Sequence, residues 1–138
     1  MQNIKEYVAE KKEMLKHEIS SCATKLKMVV VRVGDDPASV KYTNNKIKDC
    51  LEVGITAELL KFPEDISEEA LLAQIHRLNT DDTVTGYLVQ LPLPKHISEE
   101  KVNLAYFIIQ IGNIEARNKK LFNWSIVSKK LRHFQLER

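Results

Sequence analysis

Long apolar runs are missing from this 138-residue chain, and so is any strong excess of one charge. No stretch approaches the length of a membrane span. The opening MQNIKEYVAEKKEML is charged throughout, unlike a signal peptide or an anchor. A formal net charge of +2 is too small to argue for nucleic acid or an anionic membrane, so neither is expected as a partner. Cysteine is scarce: Cys22 and Cys50 lack metal-ligand spacing and read as reduced thiols of a cytoplasmic protein, each a small buried hydrophobe. His17, His76 and His96 stand apart from carboxylates and cysteines, read as surface or capping residues, and give no metal site. No G-x-x-x-x-G-K and no G-x-G-x-x-G occurs, which excludes a phosphate loop and a dinucleotide fingerprint. Internal repeats, low-complexity stretches and flexible linkers are absent too.

What is present fits one globular domain large enough to bury a core, with 43% apolar and 29% charged residues. Ile4, Val8, Leu15 and Ile19 share one face of a 3.6-residue period, predicting an amphipathic helix from Ile4 to Ser20. Met28 to Val33 is a nearly continuous β-branched run, suited to a strand covered on both faces. Gly34 to Ala38 breaks it, Ser39 is the expected cap of a second helix, and Gly54 ends that helix. Ile55 to Phe62 reads as a strand. Ser67 caps a helix whose buried stripe is Leu71, Leu72, Ile75 and Leu78, and Asn79 to Asp82 turn the chain into a strand from Val84 to Gln90. This βαβαβ order predicts an α/β fold: a three-layer parallel sheet with helices on both faces and right-handed crossovers, plus a C-terminal helical tail. Ligands of such sheets bind beyond the carboxyl ends of the strands, here Gly34 to Ser39, Pro63 to Ile66, and Gln90 to His96.

Two constellations lie at those ends. Tyr42 and Lys46 sit four apart on the second helix, flanking a core arc of Val40, Ile47, Cys50 and Leu51. A partly desolvated lysine is displaced toward its neutral form and can trade protons with a substrate. The tyrosine offers a hydroxyl and a flat ring for a heterocycle. Spacing alone favours a solvated lysine over a catalytic one. The second constellation is Gly86 to Pro94, GYLVQLPLP, with Gln90 at the strand exit and two prolines stiffening the loop. Its amide can donate and accept, orienting an amine or a pterin-like edge, and Leu91, Pro92 and Leu93 give an apolar wall. A glutamine that merely ends a strand fits the same residues.

VGDDPASVKYTNNKIKDCLEVGI (Val33 to Ile55) and GYLVQLPLPKHISEEKV (Gly86 to Val102) resemble the two signature stretches of the bifunctional methylenetetrahydrofolate dehydrogenase/cyclohydrolase family. FPEDISEEALLAQIHRLNTDDTV between them is similar in length and pattern. The resemblance implies an N-terminal α/β catalytic domain that holds folate in a cleft against a Rossmann-type domain carrying NADP or NAD. It implies oxidation of methylenetetrahydrofolate and hydrolysis of the methenyl form to formyltetrahydrofolate, in support of purine biosynthesis, by a cytoplasmic homodimer. By the same resemblance Lys46 is the acid/base of the hydrolytic step, Gln90 hydrogen-bonds and tunes it, and Tyr42 orients the folate. Ser39 lies near the substrate, and Leu91 and Pro92 line its pocket.

Beyond Val102 the likeness ends. The family's D-V-D-G-F segment has no counterpart, and no aspartate follows Asp82. The organisation implied is a folate-binding domain over residues 1–102 and a divergent tail over 103–138. No Rossmann domain is expected and no NADP bound by this chain, which reads as a truncated relative. Leu121, Trp124, Val127, Leu131 and Phe134 fit one stripe of a basic helix in that tail. The competing functions are a non-catalytic folate-binding or dimerising remnant, and a polyanion- or membrane-binding element in the tail.

Overall fold

The computed structural model describes residues 3–105, so the expected tail helix lies outside the described residues. Residues Met1–Val102 form one compact unit. Helix α1 (Ile4–Ser20) opens with a reciprocal cap: the Asn3 side chain accepts from the Lys5 amide, and Glu6 accepts from the Asn3 amide. Strand β1 (Lys27–Val33) follows, then α2 (Pro37–Glu52), β2 (Thr56–Phe62), α3 (Glu68–Thr80) and β3 (Gly86–Val89). Residues 99–105 are again helical.

The sheet is parallel, with strand order β2-β1-β3. β1 pairs with β2 from Lys27↔Thr56 to Val33↔Phe62, and with β3 from Met28↔Gly86 to Val31↔Val89. The β1–α2–β2 and β2–α3–β3 crossovers run in opposite directions, so a right-handed hand places α2 and α3 on opposite faces. The valines of β1 are accordingly buried on both faces, and the core continues into Leu71, Ile75 and Leu78 of α3, then Val84, Leu93, Ile97 and Val102. The chain turns to one side of β1 first and to the other afterwards. That makes the carboxyl end of β1 the topological switch point, where open α/β sheets take ligands.

Several expectations need correction. The cap of α2 is Asp36, whose carboxylate accepts from the Ser39 amide at 2.9 Å. Pro37 lacks an N–H and suits the first helical position, which moves the helix start ahead of Ser39. The buried face of α2 is made by Ser39 and Thr43, and Leu51 of the expected core arc is exposed. Helix α3 runs to Thr80, so Asn79 is part of the helix and the turn begins at Asp81. Leu72 is only half-buried beside Leu71 and Ile75. Cys22 is exposed rather than a core residue, while Cys50 is half-buried and its thiol is pushed up by burial, then by the nearby Asp49 carboxylate. Gly54 does end α2, at φ +91°, a conformation that favours glycine.

Candidate active site

Two exits from the sheet converge at the switch point. The β1 exit carries α2, and the β3 exit carries Gln90. The Gln90 amide donates to the Val31 carbonyl at 2.8 Å, so the parallel ladder extends one residue past β3 and fixes where the side chain starts. The Gln90 Nε2 donates to the Leu91 carbonyl at 2.7 Å, which leaves Oε1 as the outward acceptor. Lys46 Nζ donates to that oxygen at 2.8 Å, across 44 residues of sequence. The Lys46 side chain is half-buried, and its nitrogen lies 6.0 Å from the centroid of the Tyr42 ring. That is the outer limit of a useful cation–π contact, so the ring adds little to holding the lysine. Tyr42 is 50% exposed and its ring remains available to a planar ligand.

The remaining predicted residues divide. Leu91 and Pro92 are exposed beside Gln90 and joined by a cis peptide bond, whereas Leu93, expected in the same apolar wall, is buried in the core. Ser39 is only 3% exposed and sits beneath the start of α2 with Thr43. The structure thus brings Lys46, Gln90, Tyr42, Leu91 and Pro92 to one edge, and places Ser39 under it.

The β3 exit loop is clamped from a direction that sequence reasoning missed. Glu68, at the first turn of α3, accepts from the Ser98 amide at 2.8 Å and pairs with Lys101. The Lys101 hydrogen bond, then the Ser98 amide, hold the Glu68 carboxyl below its ordinary range. His96 Nε2 lies 2.8 Å from the Ile66 carbonyl, and the Leu93 amide reaches Glu99 at 3.5 Å. His96 therefore ties two loops together. Arg32, also missed, is buried beside the lysine-bearing helix and contacts Gly34, Asp35 and Thr43. Its signal was available: a charge inside a strand of valines demands partners.

The chain is thus a parallel α/β domain with a lysine–amide pair at its switch point, where sheets of this class take ligands. The family model for the tetrahydrofolate dehydrogenase/cyclohydrolase catalytic domain matches residues 2–106. The chain belongs to this family. It is similar to the bifunctional protein FolD of Bacillus thuringiensis (strain Al Hakam), 52% identical over 103 residues, covering 69% of this chain and 35% of that protein. Among solved structures, a silkworm (Bombyx mori) 5,10-methylenetetrahydrofolate dehydrogenase superposes with a TM-score of 0.68 at 42% identity, covering 70% of this chain and 35% of that one. A Trypanosoma brucei N5,N10-methylenetetrahydrofolate dehydrogenase-cyclohydrolase, complexed with NADP and an inhibitor, shares the fold at TM-score 0.67 and 24% identity, covering 72% and 35%. The chain spans about a third of the length of the curated relatives it matches.

Proposed function

We propose that residues 1–102 carry the folate-binding, proton-transferring part of methenyltetrahydrofolate hydrolysis, with Lys46 as acid/base, Gln90 as its partner and Tyr42 as the ring against which the pterin rests. The observation that carries this reading is the 2.8 Å bond from Lys46 Nζ to Gln90 Oε1 at the switch point of the sheet. Water attacks the cationic amidine-like carbon and forms the C–O bond, and its proton passes to the neutral Lys46 amine. The lysine returns that proton to the departing nitrogen as the C–N bond breaks. One water is consumed, and the hydroxyl proton of the intermediate is released as the formyl product forms. Gln90 holds the amine in line without adding charge, and Leu91 and Pro92 keep one side of the substrate dry. Ser39 contributes from below, by packing the start of α2.

The family also oxidises methylenetetrahydrofolate with NADP, and this chemistry needs a nicotinamide held against the substrate carbon. The described residues do not fit its pyrophosphate. A helix N-terminus can serve as an anion site, but α2 begins at the Asp36 carboxylate, α3 at Ser67 followed by Glu68 and Glu69, and α1 at Asn3 with Glu6. We therefore derive no hydride step from these residues. The family resemblance carries the further proposals of a cytoplasmic homodimer serving purine biosynthesis, with neither nucleic acid nor membrane as partner.

A non-catalytic folate-binding or dimerising remnant is the second reading. It is favoured by one observation, that no aspartate follows Asp82 to grip a pterin. Purified chain is mixed with methenyltetrahydrofolate, and hydrolysis above the buffer rate is measured beside the shift in Tm on adding a folate analogue. Hydrolysis with a raised Tm supports the enzymatic reading. A raised Tm without hydrolysis selects the remnant, and neither effect defeats both.

A further inference from the structure

Arg32 sits among the valines of β1 and is 5% exposed. A guanidinium withdrawn from water persists only where its charge and donors are matched. Here Nε donates to the Gly34 carbonyl at 3.2 Å, Nη1 to the Thr43 hydroxyl at 3.1 Å, and Nη2 to Asp35 at 3.0 Å. Asp35 also pairs with Lys61 at the end of β2, at 2.9 Å. The three partners of Arg32 belong to the strand exit, the loop and the helix. Thr43 is fully buried, and its hydroxyl donates back to the Ser39 and Val40 carbonyls at 2.9 and 3.1 Å. Its lone pairs are left for the arginine. Lys46 lies three residues further along α2, on the same side of the helix.

We infer that Arg32 is a positioning residue, which through Thr43 fixes the rotation and height of α2 on β1 and thereby the reach of Lys46 to Gln90. The Gln90 amide takes its place from the Val31 carbonyl. Lys46 takes its place from Arg32. Both halves of the proton-transfer pair are thus referenced to adjacent residues of one strand. Apolar packing is non-directional and would let the helix turn on the sheet, whereas a planar guanidinium with three acceptors fixes its direction. The catalytic consequence rests on the folate reading, and the geometric one does not.

Three variants test it. Arg32→Met keeps bulk without donors, Thr43→Val keeps the shape of threonine without its acceptor, and Thr43→Ser keeps the hydroxyl. Two readouts are taken on the full chain: kcat and KM for methenyltetrahydrofolate hydrolysis, and acylation of Lys46 by an amine-directed reagent, mapped by peptide mass spectrometry. Lys48, exposed on the same helix, is the internal reference. Misplacement of the amine lowers kcat on the order of tenfold in Arg32→Met and Thr43→Val, with KM little changed. Release of its hydrogen bond raises the Lys46 to Lys48 labelling ratio about fivefold in both. The double variant goes no further than either single, and Thr43→Ser stays with the unsubstituted chain. A lowered Tm with an unchanged labelling ratio would reduce Arg32 to a structural residue and overturn the inference. Thr43→Val decides the matter if Arg32→Met does not fold. Absence of turnover in the unsubstituted chain defeats the enzymatic reading, and the labelling ratio alone then judges the position of Lys46.

Discussion

Replacing Gln90 with glutamate puts a carboxylate where a neutral oxygen now accepts from Lys46 at 2.8 Å. At that separation a unit charge pair is worth about 1.5 kcal/mol at the dielectric of water and about 6 kcal/mol at an effective value of 20. The lysine is half-buried, so screening keeps the gain toward the lower end, about 2–3 kcal/mol. That gain goes entirely to the charged ammonium, which cannot take a proton from water. Each 1.36 kcal/mol on the barrier is a factor of ten, so kcat for methenyltetrahydrofolate hydrolysis at neutral pH falls about 30- to 150-fold. The second glutamate oxygen faces the Leu91 carbonyl, which now accepts from Gln90 Nε2 at 2.7 Å. Loss of that bond costs about 1 kcal/mol, which the new ion pair offsets, so Tm changes little. Gln90→Leu loses the tether without adding charge, and its kcat falls less, about tenfold. The assay is the steady-state rate after subtraction of the buffer reaction, with Tm measured on the same samples. Wild-type kcat in Gln90→Glu at unchanged Tm, or a larger loss in Gln90→Leu, refutes the reasoning.

Other expectations follow from the same geometry. Gly34 has φ +77°, and a Cβ there would meet Glu64 only at ordinary contact distance, so the penalty of Gly34→Ala is conformational. It lowers stability by about 1–2 kcal/mol, read as a shift in the urea midpoint. Tyr42→Ala removes the platform and raises KM on the order of tenfold, while Tyr42→Phe keeps the ring and most of the affinity; steady-state kinetics of the two variants check this. The Glu68 carboxyl is held below its ordinary 4.5 by Lys101 first and by the Ser98 amide next. A value lowered on folding stabilises the protein above the unfolded pKa, and the contribution is lost as pH falls through the folded one. Glu68→Gln therefore lowers Tm at neutral pH and flattens the fall of Tm below pH 4.5. Parallel profiles would show that the clamp on the β3 exit is not coupled to folding.

Where the hydrophobic pattern was unambiguous, local rules sufficed. The valine run gave a central strand, and Leu71, Ile75 and Leu78 gave the inner face of α3. The topological order then located the exits at which Lys46 and Gln90 lie. On α2 the same rules misplaced the buried face, choosing Leu51 over Ser39 and Thr43. The reason is Arg32: a buried guanidinium needs oxygen acceptors, so the helix turns small polar residues inward where apolar ones would ordinarily go. Periodicity scores apolar residues and does not register such a demand. The cap shifted to Asp36 because proline at the first helical position is not a hydrogen-bond donor to be lost. The approach of Lys46 to Gln90 is a long-range contact that spacing could not supply; family resemblance implied it, and the sheet register explains how the two exits come to meet.

The central claim is that the Lys46 amine moves the proton of the attacking water. The most direct measurement is the rate of methenyltetrahydrofolate hydrolysis by Lys46→Met against the unsubstituted chain, both folded and both saturated with substrate. General acid–base catalysis contributes roughly 10²–10⁴-fold, so the variant should fall by that factor while a folate analogue still raises its Tm. Equal rates in the two proteins would contradict the account, whatever the distance from Lys46 to Gln90.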